Sequence, residues 1–290
     1  MDKLIFLDQA GERILVCATD GSGLRTLVAD CPRHPDGIAI DEEAGHIYWT
    51  NMGLDFKRND GSIERANLDG SGRRTIVAEG QTFTPKQILV DKPTGQLYWC
   101  DREGMRVMRA ALDGSGIEVL VQTGAGEQDR LDATNWCVGI AIDHARGMLY
   151  WTQKGPSSGG AGRILRAPLA LPAGATPATR DDIEVVFERL PEPVDLEWAP
   201  DGALLWTDRA RQPRGGSVER AEPGTGQAPH VLADGLGEAI GIAVDHVGGR
   251  MYVTTLQGNV VSMKLDGSER KTIVENAGRL TGICYHRTYG

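Results

Sequence analysis

The sequence predicts an all-β ring, a six-bladed β-propeller of four-stranded antiparallel blades, and three observations carry that expectation. First, one heptad recurs: GHIYWTN (45–51), GQLYWCD (95–101), GMLYWTQ (147–153), GALLWTD (202–208) and, degraded, GRMYVTT (249–255). Its second aromatic position falls at Trp49, Trp99, Trp151, Trp206 and Val253, at intervals of 50, 52, 55 and 47 residues, and such a period marks a repeat architecture. Second, every copy sits in the same frame of four short strand-like runs. Third, the two ends of the chain each hold a part of one further unit.

Within a unit the first run is GIAID (37–41), QILVD (87–91), GIAID (139–143), DLEWA (195–199) or GIAVD (241–245). The heptad is the second run. The third is GSIERANLDG (61–70), MRVMRAALDG (105–114), GRILRAPLA (162–170), GSVERAEPG (216–224) or GNVVSMKLDG (258–267), and a fourth such as RRTIVAE or RKTIVEN follows. Each run is rich in Val, Ile and aromatics and is bounded by Gly, Asp or Pro, which reads as a strand between turns. Apolar residues fall on both alternating faces of the heptad (Ile47 and Trp49, then Tyr48), so both faces of the sheet must be covered, as in a propeller blade. The C-terminus supplies one more first run, TGICYH (281–286), and the N-terminus the other three, within residues 4–30. Pairing them closes a sixth blade and removes an exposed sheet edge. Residues 1–290 therefore read as a single propeller domain.

With YWT followed by a polar residue, GIAID upstream and LDGSGR (68–73) downstream, the chain resembles the YWTD (class B) repeats of the low-density-lipoprotein receptor family over essentially its whole length. That resemblance implies the six-bladed fold. Known members sit beside cysteine-rich modules in secreted receptors and grip protein loops or peptides at the propeller mouth.

Composition narrows the function. A formal net charge of −9 argues against nucleic acid or an anionic membrane as partner, since both reward clustered Lys and Arg. Five scattered cysteines never spaced CxxC make neither a disulfide framework nor a zinc site. There is no signal peptide, no apolar run long enough to span a bilayer and no glycosylation sequon, so a cytoplasmic location is expected. The DGS and DGSG copies lack the alternating ligands of a calcium loop and read as hairpin turns. The stretch 155–159 spells G-x-S-x-G but joins two strands rather than a strand and a helix, so it reads as a loop and not a nucleophile elbow. His144 and His246 fall in turns at the opposite, lower face, and the six histidines never take a metal-ligand spacing.

The candidate site is the mouth where the loops joining second to third strands meet those leading into first strands. The former are short at 9–11, 102–104 and 256–258 and long at 51–61, 153–162 and 208–215, and 124–137 is long as well. Irregular loops on one face of a repeat scaffold tend to carry function. Four first strands carry Gly at one position (Gly37, Gly139, Gly241, Gly282), where the other two carry Gln87 and Asp195; local rule-breaking of this kind points to a site. Candidate acid/base groups are Asp195, Asp36 and Glu238. Candidate substrate-binding residues are His34, Lys86, Gln87, Trp136, Arg279, Met52, Phe56 and Phe83, polar groups beside apolar surface as in a small-molecule pocket.

Two readings of different class follow. One is an enzyme that binds a small, partly apolar organic molecule at the mouth and promotes a cofactor-free, non-redox lyase or cyclisation step; no nucleotide, flavin or haem motif is visible. The other is a non-catalytic module that grips a protein or peptide. Six-bladed propellers related in shape include metal-dependent gluconolactonases, strictosidine-synthase-like condensing enzymes and hetero-Diels–Alder catalysts. Asn135 and Asp195 could supply part of a lactonase metal set, and a metal-free pocket is favoured over it.

Overall fold

In the computed structural model, which describes residues 2–211, 213 and 215–288, six four-stranded antiparallel sheets form the ring. Blade one holds β4 (Pro35–Asp41), β5 (His46–Asn51), β6 (Gly61–Asn67) and β7 (Arg74–Thr82), after the N-terminal strands β1 (Lys3–Asp8), β2 (Arg13–Ala18) and β3 (Arg25–Val28). Blade two holds β8 (Pro85–Asp91), β9 (Gln96–Asp101), β10 (Arg106–Ala111) and β11 (Glu118–Gln122). Blade three holds β12 (Cys137–Asp143), β13 (Met148–Gln153), β14 (Gly162–Pro168) and β15 (Glu184–Leu190). Blade four is β16 (Pro193–Trp198), β17 (Leu204–Asp208), β18 (Ser217–Ala221) and β19 (His230–Ala233). Blade five is β20 (Ala239–Asp245), β21 (Arg250–Thr255), β22 (Val260–Lys264) and β23 (Lys271–Val274). The last strand, β24 (Leu280–His286), pairs antiparallel with β1 to complete blade six, with Leu4 opposite Tyr285 and Phe6 opposite Ile283. The closure expected from residues 4–30 and 281–286 is present.

The YW doublet is explained by the period of a strand. Neighbouring residues point to opposite faces, so each Tyr packs into one interface between blades and the following Trp into the other. Tyr48 shares a buried cluster with Trp99, Tyr98 with Trp151, and Tyr150 with Trp206. At the closing blade, Phe6 takes the Trp place opposite Tyr252, and Ile5 the Tyr place opposite Trp49. Six apolar clusters thus fill the six interfaces.

The Thr of the heptad has its own task. Each inner strand is irregular at its second and third residues, where its register against the second strand shifts. That shift takes the third residue's N–H out of the ladder, and buried backbone donors need a partner. Thr50 Oγ1 accepts from Gly37 N–H at 2.8 Å and donates to the Lys86 carbonyl of the next blade, also at 2.8 Å. Thr152 accepts from Gly139 N–H and donates to the Val194 carbonyl; Thr207 accepts from Asp195 N–H and donates to the Ile240 carbonyl. Thr254 does the same between Gly241 and Thr281, and Cys100 Sγ reaches the Gly139 carbonyl at 3.2 Å. In four blades one hydroxyl satisfies its own strand and clamps the next, and in blade six Leu7 stands at that place.

In four blades the third inner-strand residue is Gly, at a place where adjacent inner strands touch. A Cβ on Gly139 would collide with the Val194 carbonyl, and one on Gly282 with that of Asp36. The DGSG copies are turns: Asp20, Asp69, Asp113 and Asp266 each accept the N–H of the Ser two residues on, at 2.9 Å. Among the described residues the one departure from an all-strand reading is the 124–137 loop, which folds a short α1 (Gly126–Arg130) and a 3-10 turn.

Candidate functional site

At the mouth a cavity of about 250 Å³ is lined by Gln9, His34, Asp36, Met52, Phe56, Lys86, Arg102, Arg209, Ile240, Leu256, Arg279 and Thr281. Two repeat positions build most of it. Asp36, Lys86, Ile240 and Thr281 are second residues of inner strands; Gln9, Met52, Arg102, Arg209 and Leu256 each follow the last residue of a second strand. The heptad's polar tail holds the loops above. Asp101 accepts from the N–H groups of Phe83 and Thr84, Asp208 from those of Glu192 and Ala210, and Asp8 from that of Arg279.

Four cations and one carboxylate line this cavity, in a chain of net charge −9. Lys86 and Asp36 are both buried, with Nζ 2.5 Å from Asp36 Oδ1 and 3.5 Å from Met52 Sδ. Burial pulls the Lys86 ammonium down to about 8, with Asp36 opposing and Arg102 and Arg209 adding to the fall. Asp36 Oδ2 is buried without a hydrogen-bond partner. Arg102 is fastened to Glu103 at 2.7 Å, and its guanidinium stacks 5.1 Å from the Phe56 ring centroid and 5.2 Å from that of Trp136. Arg209 Nη2 lies 3.0 Å from Glu238, with Nε 3.3 Å from Glu192, which also takes Lys154 at 2.8 Å. Burial opposes ionisation of Glu192, yet Lys154 and Arg209 hold its carboxyl below the usual range. Arg279 has no ion-pair partner among the described residues. His34 meets Phe56 edge-on at 5.5 Å.

A second cavity, about 320 Å³, lies further down the same channel. It is lined by the fourth residues of all six inner strands (Ile38, Ile88, Ile140, Leu196, Ile242, Ile283), with Gln87, Asp195, Glu197 and Trp198 among its other walls. Val138, Val194 and Ile240, all second residues of inner strands, cluster between the two cavities. Asp195 spans two blades, Oδ1 accepting from Leu196 N–H at 3.0 Å and Oδ2 from Ile242 N–H at 3.1 Å. Burial holds its carboxyl well above the ordinary value despite these bonds, and burial lifts Glu197 to about 7.

The structure therefore gathers six of the expected residues, His34, Asp36, Met52, Phe56, Lys86 and Arg279, around one cavity. Glu238 and Trp136 stand behind it, holding Arg209 and Arg102. Phe83 is turned to Arg130, whose guanidinium lies 4.2 Å from its ring centroid. Gln87 and Asp195 lie in the lower cavity rather than at the entrance, because the third inner-strand residue sits below the ring of second residues. Asn135 lines neither cavity, and its amide is bound to the Asp129 carbonyl at 3.1 Å. Among the described residues no group of three or more His, Cys, Asp or Glu is placed to hold a metal ion. In the 155–159 stretch, Ser157 Oγ donates to Glu192 at 3.1 Å. Of the 208–215 loop, residues 212 and 214 lie outside the described residues. Arg102 and Arg209 are not among the expected residues; their shared place directly after the heptad is the signal that finds them.

No helix among the described residues is long and apolar enough to cross a membrane. No family model matches the chain. Over 285 residues it is 48% identical to a protein of Pyricularia oryzae named low-density lipoprotein receptor-related protein 1, covering 93% of this chain and 91% of that one. It is 39% identical over 286 residues to the 3-hydroxyacyl-CoA dehydrogenase-like protein LAM1 of Cochliobolus heterostrophus, of which it spans 60%. Among solved structures, a chain of a nidogen/laminin complex matches over the whole length of both, with a TM-score of 0.77 at 22% identity, a likeness of fold. Identity of 48% over nearly all of both chains, together with the five YWT-type heptads and the strand pairing that closes the ring, shows that this chain belongs to the low-density-lipoprotein-receptor-related family of YWTD β-propellers.

Proposed function

We propose that the mouth cavity binds a small, partly apolar organic molecule through an anionic or oxygen-rich end and promotes a cofactor-free, non-redox cyclisation or lyase step on it. The observation that carries this reading is the buried Lys86–Asp36 pair in a cavity that three arginines also line. Arg102, Arg209 and Arg279 receive the negative end and stabilise charge that grows there during reaction, an effect enlarged where water is displaced. Phe56, Met52, Ile240 and Leu256 hold the apolar part. Lys86, its ammonium pulled down to about 8 by burial, donates a proton or a hydrogen bond to a carbonyl oxygen, and the proton returns to the Lys86 amine by way of Asp36. Holding the reacting ends together supplies much of the remaining acceleration. All five cysteines are free and buried, which supports a reduced, cytoplasmic setting.

The test incubates the protein with an extract of its source organism and follows small molecules by mass spectrometry. A cyclisation yields an isomer of unchanged mass, a lyase step two fragments; both should vanish with Lys86→Met/Asp36→Asn protein. Extracts unchanged by the wild type would sink the catalytic reading. A peptide-binding module would then be the better reading, favoured by Leu54 and Phe56, 62% and 38% exposed on the 51–61 loop beside the cavity. Phenylacetate titration, with and without Arg102→Ala, tests the anion subsite common to both.

A further inference from the structure

The lower cavity is where this chain departs from its own repeat. The inner strands read G-I-A-I/V in blades one, three and five, but Q-I-L-V in blade two and D-L-E-W in blade four. Five of the substituted residues, Gln87, Leu89, Asp195, Glu197 and Trp198, line this one cavity. Packing alone does not call for the polar ones. Gly stands at the place of Gln87 and Asp195 in the other four blades, and Ala, Leu89 in blade two or Cys284 in blade six at the place of Glu197, while Trp198 takes a place held elsewhere by Ile, Val or Tyr.

Each departure has a chemical consequence. Gln87 is 3% exposed, and its Nε2 has no hydrogen-bond acceptor, a condition that folded proteins rarely leave in buried amides. Asp195 and Glu197 put two carboxyls among the six branched aliphatic residues. The basic side chains that line the cavity, Lys92 and His144, stand on turns at its rim, where His144 Nε2 lies 3.0 Å from Asp91. An apolar chamber with two inward carboxyls and one amide donor complements an ammonium group, an apolar body and an oxygen acceptor.

We propose that the lower half of the channel is a second binding site, for a small apolar amine whose ammonium meets Glu197 and Asp195 and whose carbonyl or hydroxyl oxygen accepts from Gln87. A cavity of 320 Å³ falls at the small end of ligand pockets. The site is separate from the anion-seeking mouth and does not depend on any reaction there.

Calorimetric titration with phenylalaninamide, which has amine, ring and carbonyl, tests this against 3-phenylpropanamide, which lacks the amine. Phenylalaninamide should bind one to one and the neutral amide roughly tenfold more weakly. Glu197→Ala should erase that difference, and Gln87→Gly should weaken phenylalaninamide without touching phenylethylamine. Both variants install the residue that other blades carry, so folding should survive. Arg102→Ala should leave the affinity unchanged. In the wild type, the Trp198 indole resonance should shift during titration. Equal binding of amine and neutral amide, insensitivity to Glu197→Ala, loss on Arg102→Ala, or an unmoved Trp198 resonance would each overturn the proposal.

Discussion

Glu197 shows what one departure from a repeat costs. Its carboxyl is lifted from 4.5 to about 7 by burial, against the Trp198 N–H. Between those values the folded chain holds a proton that the unfolded chain has released, so its contribution is intact below about pH 4.5 and is lost as pH rises through 7. At about 1.4 kcal/mol per unit, the loss reaches up to about 3 kcal/mol. Glu197→Gln should therefore be as stable as the wild type at pH 5 and about 1–3 kcal/mol more stable at pH 8, read by urea unfolding at both pH values. Equal stabilities at pH 8 would mean that Glu197 is solvated. At this scale the sequence shows which residues break the pattern, but not where they lie. Gln87 and Asp195 stand out against the repeated Gly, yet they read as entrance residues and lie deeper, because depth along an inner strand depends on the register shift at its second residue. Arg102 and Arg209 escape notice because each follows a heptad as an ordinary loop cation would.

At the scale of the element, the heptad is legible as a strand because alternation and turn residues survive in every copy. Its division of labour is only partly so. Tyr and Trp as packing groups follow from the period of two, whereas the Thr clamp requires knowing that the inner strand is irregular. The clamp makes a sharp expectation. Thr152 is wholly buried, and replacing it by Val keeps the shape while orphaning the Gly139 N–H and removing a donor from the Val194 carbonyl. A buried unsatisfied donor of this kind costs on the order of 2–3 kcal/mol. Cys100→Thr, by contrast, supplies a stronger donor toward the Gly139 carbonyl, now reached by a thiol, and should hold or raise stability. Chemical unfolding of the two single variants decides it: similar midpoints for both would show that blade adhesion rests on the apolar clusters alone.

At the scale of the molecule, closure distinguishes this ring from six sheets leaning together. The β1–β24 ladder, reinforced by Tyr285 Oη donating to Asp2 at 2.5 Å and Thr288 N–H to Asp2 at 3.0 Å, fastens both ends of the chain into one sheet. This closure is legible in the sequence because the two termini carry complementary parts of one repeat unit. Circular permutation separates ladder from packing. Residues 2 and 288 lie close enough for a short Gly-Ser linker. A chain opened between Pro93 and Thr94, in the exposed turn from β8 to β9, begins with three strands of blade two and ends with its inner strand. It repeats the three-plus-one closure in another blade. A chain opened between Asn276 and Ala277 has six whole blades and a seam at blades five and six, held by the cluster around Tyr252, Phe6 and Ile283 and by the Thr254 clamp. If the ladder sets kinetic stability, the first permutant should unfold at nearly the wild-type rate. The second should unfold at least about tenfold faster, because opening its seam breaks no strand pairing. Equal unfolding rates in the two permutants would assign the ring's persistence to the interfaces and leave the shared blade as a device of topology.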